Sequence, residues 1–299
     1  MFKKLASNAT HLFKQHRFSI GLSNITRCQS TDYSSKCDGL DIKLKEQTLW
    51  ITLDRPAKFN ALTREMYVQL TETFNTVNQD KSVKAVLLTG NGEYYSSGND
   101  LTNFTRAMQH EGGYKAGLTE SSEILYKFVN SLIDLEKLLI AAVNGPAVGI
   151  PVTTLPLFDY VLASTNATFQ TPFTALGQCP EACSSITLPQ IMGFSRASEL
   201  LLLNMTWDAR KAQTYGLVSE VVEHDQFRKH LENMLYSKRG LIATCYPKST
   251  QVSKSLIRGP QIKQMLVETN RRECNAILDL WLGDECADAL QKFMNRSKK

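Results

Sequence analysis

The decapeptide LGQCPEACSS, residues 176–185, holds one charged side chain, Glu181, among a proline, an alanine, two cysteines and two serines. A carboxylate with apolar neighbours is poorly hydrated, which raises its proton affinity toward neutral pH. A group so placed can both accept and return a proton. The plain alternative is an acid in the first turn of a helix after Pro180, favoured there by the helix dipole. Two further stretches set glycine beside polar residues where a strand ends: YYSSGNDL, residues 94–101, and VNGPAVGI, residues 143–150. Glycine lets the backbone approach a ligand closely, and N–H groups at such turns can face a developing negative charge. On their own, both stretches read equally well as turns. Neither is a GxGxxG fingerprint or a Walker loop. Ser96 and Ser97 lack the Gly-x-Ser-x-Gly elbow, and no Ser–His or Cys–His pairing is offered, so they are poor nucleophiles.

These stretches sit on a regular alternation of elements. DIKLKEQTLWITL, residues 41–53, reads as two short strands turning at Glu46-Gln47. DRPAKFNALT, residues 54–63, is a loop, and Thr63 can cap a helix that carries Met66, Leu70, Phe74 and Val77 at helical spacing. KAVLLTG, residues 84–90, is a short apolar run of the kind buried in a parallel sheet. Ile124, Leu125, Phe128, Val129 and Leu132 mark a second helix, and KLLIAAVNGPAVG, residues 137–149, a strand that turns into a helix. FDYVLAS and ATFQTPF follow as strands. Strands alternating with helices predict a largely parallel α/β layer. From residue 194 onward the pattern is expected to be helical, as a cover or an oligomer contact.

The 299 residues suit one large domain or two small ones, and 42 % hydrophobic with 21 % charged residues is ordinary for a globular chain. The net charge of +5 is mild, with no basic stripe interleaved with aromatics, so no nucleic-acid partner is expected. Seven scattered cysteines argue against a disulfide framework. Cys179 and Cys183 lack a second Cys/His pair at ligand spacing, so no metal site is expected. No apolar run is long enough for a membrane span. The first thirty residues carry Lys3, Lys4, Lys14, Arg17 and Arg27, with no acid before Asp32. That composition reads as a mitochondrial transit peptide, the plain alternative being a disordered basic tail, and predicts the matrix rather than the peroxisome, since the end NRSKK is not the Ser-Lys-Leu address. The expected organisation is a transit peptide and linker over 1–36, a core over 37–193 and a helical region over 194–299.

In this order and at these separations, DRPAKFNALT, YYSSGNDLTNF, AVNGPAVGI and LGQCPEACSS resemble the crotonase (enoyl-CoA hydratase/isomerase) superfamily. DARKAQTYGLVSEVV, residues 208–222, is similar to its helical segment near the active-site cover. YYSSGNDLTNF, VNGPAVGI and PEACSS look most like its Δ3,Δ2-enoyl-CoA isomerase branch, and the resemblance runs from about Leu40 to Arg296. It implies an α/β fold, a crotonase-type spiral of ββα turns with a helical C-terminal oligomerisation region, assembled as a homotrimer or a dimer of trimers. The partner is an acyl-CoA thioester substrate. No cofactor is implied, coenzyme A being part of that substrate. The thioester oxygen would be held by the backbone N–H groups of Asn99 and Ile150, with Ser96, Ser97, Gly98, Asp100, Leu101 and Gly149 around it. Lys58, Phe59 and Ala61 in AKFNAL correspond to the segment that contacts coenzyme A, and Glu181 matches the catalytic glutamate of the isomerase branch.

The resemblance also gives the lone acid a task. Removing the C2 proton of an acyl thioester leaves an enolate, tolerable only where preorganised donors hold its oxygen. Hydratases of the superfamily carry a pair of glutamates, and the matching positions here are Thr153 and Phe173. Two acids suit addition of water; one suits moving a proton from C2 to C4. Isomerisation is therefore expected. The rivals are a hydratase and a non-catalytic acyl-CoA-binding protein. Mammalian relatives of the isomerase carry an acyl-CoA-binding domain; the roughly forty residues before the core are too short for one, and no chromodomain is expected either. The segment RAMQHEGGYKAG, residues 106–117, is expected as a loop shaping the channel for the acyl tail.

Overall fold

The computed structural model describes Tyr33 and residues 36–296, so the expected transit peptide lies outside the described residues. The compact unit begins at Tyr33, which is buried and donates its hydroxyl to Asp80 Oδ2 at 2.8 Å.

In chain order the elements are β1 (Leu40–Lys45), β2 (Thr48–Leu53), α1 (Arg64–Val77), β3 (Ala85–Gly90), α2 (Thr102–Met108), α3 (Tyr114–Ile133) and β4 (Leu138–Val143). Next come β5 (Ala147–Val148), α4 (Ile150–Thr153), β6 (Tyr160–Ser164), β7 (Thr168–Gln170), α5 (Ser184–Leu201), β8 (Trp207–Asp208), α6 (Ala209–Thr214) and β9 (Glu220–Val222). The C-terminal helices are α7 (Phe227–Tyr236), α8 (Leu241–Thr244), α9 (Pro247–Ile257), α10 (Pro260–Trp281) and α11 (Asp284–Arg296).

The main sheet runs β1-β2-β3-β4-β6-β9, antiparallel between β1 and β2 and parallel thereafter. A second sheet, β5-β7-β8, stands beside it. Glu46 and Gln47 both take positive φ, 46° and 68°, which gives the tight turn that joins β1 to β2. Side chains alternate across the main sheet as strand geometry requires. Val86, Leu88, Leu139, Ala141 and Val143 face the large core under α1 and α3. Leu87, Ile140 and Ala142 face the opposite side, against Phe227, Leu231 and Leu235 of α7. With both faces covered, β3 and β4 are apolar but for Thr89, whose hydroxyl donates to Ala142 O at 2.8 Å. Met66, Leu70, Phe74 and Val77 of α1 are all buried, and Thr63 Oγ1 caps the helix by accepting the Met66 N–H at 3.4 Å.

Two expectations differ from the fold. The region after 194 is not helical throughout: β8 pairs with β7, and β9 extends the main sheet along β6. These strands are only two and three residues long, too short to show an alternating pattern. Most of 106–117 is helical rather than loop, because Arg106–Met108 close α2 and Tyr114–Gly117 open α3. Gly112 and Gly113 mark only the short link between them.

Candidate active site

Glu181 projects from a turn just before α5. Ala182 and Cys183 after it are both left-handed, with φ of 56° and 65°, and Ser184 N–H closes back on Glu181 O at 3.1 Å. Neither is glycine, so the conformation is disfavoured in isolation and must be held by its surroundings. The Glu181 side chain is 9 % exposed, and no donor among the described residues reaches its carboxylate. Burial, and next the charge of Glu273, raise its pKa from 4.5 to about 8. Glu273, on α10, is itself buried and accepts Cys183 N–H at 2.6 Å and Ser185 N–H at 2.9 Å. The same dry environment keeps nearby groups protonated. Burial and then Glu181 push Cys179 and Cys274 up to about 12, and hold the Tyr67 hydroxyl well above its ordinary value. The Glu181 pKa is therefore held near neutral pH, while burial raises that of Glu273 as well.

The two glycine loops lie side by side. Ser96 and Ala147 form a parallel bridge, and Val148 N–H donates to Ser96 O at 3.0 Å. The bridge lies three residues before Asn99 on one loop and three before Ile150 on the other. A Cβ on Gly98 would stand 2.5 Å from Val148 O, so this approach needs glycine there, and its φ of +89° needs it too. Neither the Asn99 N–H nor the Ile150 N–H donates to any acceptor among the described residues. Ile150 opens α4, where a helix leaves its first N–H groups unpaired. A Cβ on Gly149 would meet nothing within 4 Å, so the chain is open on that side of the residue. Asn103 steadies the Asn99 side: its Nδ2 donates to Asn99 Oδ1 at 2.7 Å and Leu62 O at 3.0 Å, and its Oδ1 accepts Arg64 N–H at 3.0 Å.

The AKFNAL loop is a short turn in which Phe59 and Asn60 take positive φ, 51° and 56°. Asn60 is fully buried; its Oδ1 accepts Arg55 N–H at 2.8 Å, and its Nδ2 donates to Asn91 O and Tyr94 O at 2.8 and 2.7 Å. That clamp leaves Lys58 and Phe59 exposed, with the Phe59 ring 4.6 Å from that of Tyr94. Ala61 O accepts Arg55 Nη1 at 2.6 Å. Two residues of YYSSGNDL turn inward instead. Ser96 is buried, donating to Asn60 O at 2.7 Å and accepting Gly98 N–H at 3.2 Å. Asp100 takes Arg55 Nη1 at 2.7 Å and Thr102 N–H at 2.9 Å. Burial would raise the Asp100 pKa, but these bonds and the Arg55 charge hold it below its ordinary value. Both side chains brace the loop rather than line the open space. Ser97, half-buried, has its N–H bonded to Phe59 O, and Leu101 packs on the core.

One cleft brings Asn99 and Glu181 together, while Ile150, Gly149, Lys58, Phe59 and Ala61 are not among the residues that line it. Asn99 and Glu181 line it, with Tyr67 of α1, Phe104 and Ala107 of α2, Leu118, Ile124 and Leu125 of α3, and Trp281 of α10. Its walls are thus mostly apolar. Arg64 and Arg106 stand at the polar side, ion-paired with Glu120 and Glu65. Trp281 meets Phe104 edge to face at 5.5 Å, and its buried Nε1 has no partner among the described residues. Thr153 is buried with its hydroxyl bonded to Ile150 O at 3.3 Å, and Phe173 is buried in the core, so neither position supplies an acid. Tyr67, Phe104, Gln178, Glu273 and Trp281 were not found from the sequence. Their types and spacing are those of ordinary core residues, and Glu273 and Trp281 lie 92 and 100 residues beyond Glu181. Among the described residues no three His, Cys, Asp or Glu side chains are grouped to hold a metal ion.

Residues 43–258 match the family described as enoyl-CoA hydratase/isomerase. The chain is 45 % identical to "Enoyl-CoA delta isomerase 2" of Rattus norvegicus over 249 residues, which is 83 % of this chain and 61 % of that protein. It therefore spans less than two thirds of that relative's length. It is 43 % identical to "Enoyl-CoA delta isomerase 3, peroxisomal" of Mus musculus, over 83 % of this chain and 76 % of that one. The fold matches the crystal structure of an enoyl-CoA hydratase/isomerase from Pseudoalteromonas atlantica T6c with a TM-score of 0.76 and 32 % identity, covering 86 % of this chain and 97 % of that one.

Proposed function

The chain belongs to the enoyl-CoA hydratase/isomerase family, and from that premise we propose that it is a Δ3,Δ2-enoyl-CoA isomerase of fatty acid β-oxidation. The substrate is a 3-enoyl-CoA, whose thioester oxygen faces the free N–H groups of Asn99 and Ile150. Glu181 removes a proton from C2. The electron pair moves toward the carbonyl, and the resulting dienolate oxygen is held by the two amides. Glu181 then returns the proton to C4, and the double bond comes to rest between C2 and C3, conjugated with the thioester. Nothing is gained or lost, so the same carboxylate ends as it began. Lys58 and Phe59, exposed on the clamped AKFNAL turn, face coenzyme A, with the Lys58 ammonium suited to a phosphate.

The observation that carries this reading is the one buried carboxylate that lines the cleft. Glu181 is buried without a donor, which places its proton affinity where both transfer steps are near balance. Thr153 and Phe173 stand where a hydratase would need its acid pair. The test is to incubate purified protein with 3-hexenoyl-CoA and follow the ultraviolet absorbance of the conjugated 2-enoyl thioester, with 2-hexenoyl-CoA hydration assayed in parallel. Fast hydration with slow isomerisation would favour the hydratase. Binding without either reaction would favour a non-catalytic acyl-CoA carrier.

We assign the protein to the mitochondrial matrix on its basic, acid-free leader, which N-terminal sequencing of the protein from isolated mitochondria tests. We assign it also to a trimer or a dimer of trimers. Phe194, Leu203, Tyr246, Leu256 and Ile257 support that assembly, since these large apolar side chains are exposed on the single chain, Phe194 by 82 %. Light scattering that returns a monomer at micromolar concentration would overturn it.

A further inference from the structure

We infer that Glu273 is a positioning residue for the reaction: it holds the left-handed Ala182–Cys183 turn from which Glu181 projects. The inference rests on the reading of Glu181 as the base. Glu273 lies on α10, ninety-two positions after Glu181, and touches no part of the open cleft. Its two carboxylate oxygens are each spent on one N–H of the turn, Cys183 at 2.6 Å and Ser185 at 2.9 Å. Two consecutive non-glycine residues in the left-handed region persist only where surrounding contacts determine them. Here those contacts are the paired amides, together with the Cys183 thiol against Leu266 O at 3.2 Å on the same helix.

The same stretch of α10 is fixed to α3 in turn. Asn270 Nδ2 donates to Tyr126 O and Asn130 Oδ1, both at 3.0 Å, and Ser122 Oγ donates to Cys274 O at 3.0 Å. All three partners are on α3, the helix whose Leu118, Ile124 and Leu125 form the cleft wall. Glu273 is thus the link that keys the base to the wall against which the acyl chain lies. Small displacements matter at such a link, because the proton must be reached at hydrogen-bonding distance from two carbons in succession.

Its charge acts on the same base. After burial, Glu273 is the next cause holding the Glu181 carboxyl protonated to higher pH. Burial raises Glu273's own value, while the Cys183 and Ser185 amides and the Arg272 charge oppose that rise. The other titratable groups facing the pair are Tyr67 from α1, Cys179 and Cys183 from the turn and Cys274 from α10, all held neutral by burial. Farther along α10, Arg271 is paired with Glu123 of α3.

The test compares the full-length wild type with Glu273→Gln and Glu273→Asp, reading kcat and KM for 3-hexenoyl-CoA across pH, with thermal unfolding as a check on folding. Gln removes the charge and turns an N–H donor toward an N–H donor. Its kcat should fall about tenfold or more with KM changed less than about threefold, and its acid limb should move to lower pH. Asp keeps the charge but falls short of the amides, so kcat should drop while the acid limb stays nearer the wild type. If Gln does not fold, Asp decides on the same readouts. A folded Asp variant with wild-type kcat would overturn the inference, as would a Gln variant with wild-type kcat and an unmoved limb. A wild type inert toward 3-hexenoyl-CoA would overturn the functional reading, and the inference with it; an active wild type matched by both variants overturns the inference alone.

Discussion

Glu181 should make the protein less stable as pH rises, and replacing it with glutamine should remove that dependence. In the unfolded chain the carboxyl has its ordinary pKa of 4.5, whereas in the folded protein it holds its proton up to about 8. Between these values the unfolded state binds fewer protons than the native one, so stability falls with rising pH. The contribution is fully present below pH 4.5 and lost by the time pH passes through about 8. At 1.36 kcal/mol per pH unit, the part of the gap crossed between pH 5 and pH 9 is worth about 4 kcal/mol. That is a large share of the roughly 5–15 kcal/mol that holds a typical domain folded. The assay is urea unfolding of wild type and Glu181→Gln at both pH values. Other titrating groups are shared, so the difference between the two proteins isolates this site. Glu273, freed of a like charge in the variant, shifts the difference the same way. The variant should gain about 4 kcal/mol on the wild type between pH 5 and pH 9 and lose turnover by roughly 10²–10⁴-fold. A stability difference that stays constant within about 1 kcal/mol would mean that Glu181 is hydrated in the native state, and the case for a base poised near neutrality would fall with it.

In the wild type, kcat/KM should rise with pH and level off near the Glu181 value of about 8; a pH–rate profile with no acid limb above pH 6 would contradict this. Gly98→Ala would press a Cβ to 2.5 Å from Val148 O at a φ of +89°, forcing the two amide-bearing loops apart. Turnover should fall about 10²-fold or more with an unchanged far-ultraviolet circular dichroism spectrum, and steady-state kinetics at the wild-type level would refute it. Trp281→Ala would open the cleft where Trp281 meets Phe104, shifting preference toward longer acyl chains at a stability cost of about 3–5 kcal/mol. Competition between six- and twelve-carbon 3-enoyl-CoA substrates reads the shift, and an unchanged ratio would show that the tail runs elsewhere.

Much of this architecture is legible in local sequence because it is decided by near neighbours. The helical spacing of Met66, Leu70, Phe74 and Val77 does define α1, the Glu46-Gln47 turn does join two strands, and the largely apolar runs of β3 and β4 are buried on both faces. The isolation of Glu181 among uncharged residues is likewise visible in ten letters of sequence. Short strands are not: β8 and β9 owe their pairing to β7 and β6, not to any pattern of their own. Nor is side-chain direction. Ser96 and Asp100 stand among the cleft-facing candidates in sequence, but Asn60 and Arg55 draw them inward. The site itself is decided by distant chain. The loops of Asn99 and Ile150 approach each other only because Gly98 lets the backbone pass Val148 O, and the Glu181 carboxyl holds its proton toward neutral pH only because the chain folded around it buries it and Glu273 lies nearby. Periodicity depends on residues within a turn or two, whereas the hydration of a carboxylate depends on everything folded around it, and that is settled by contacts ninety residues or more away.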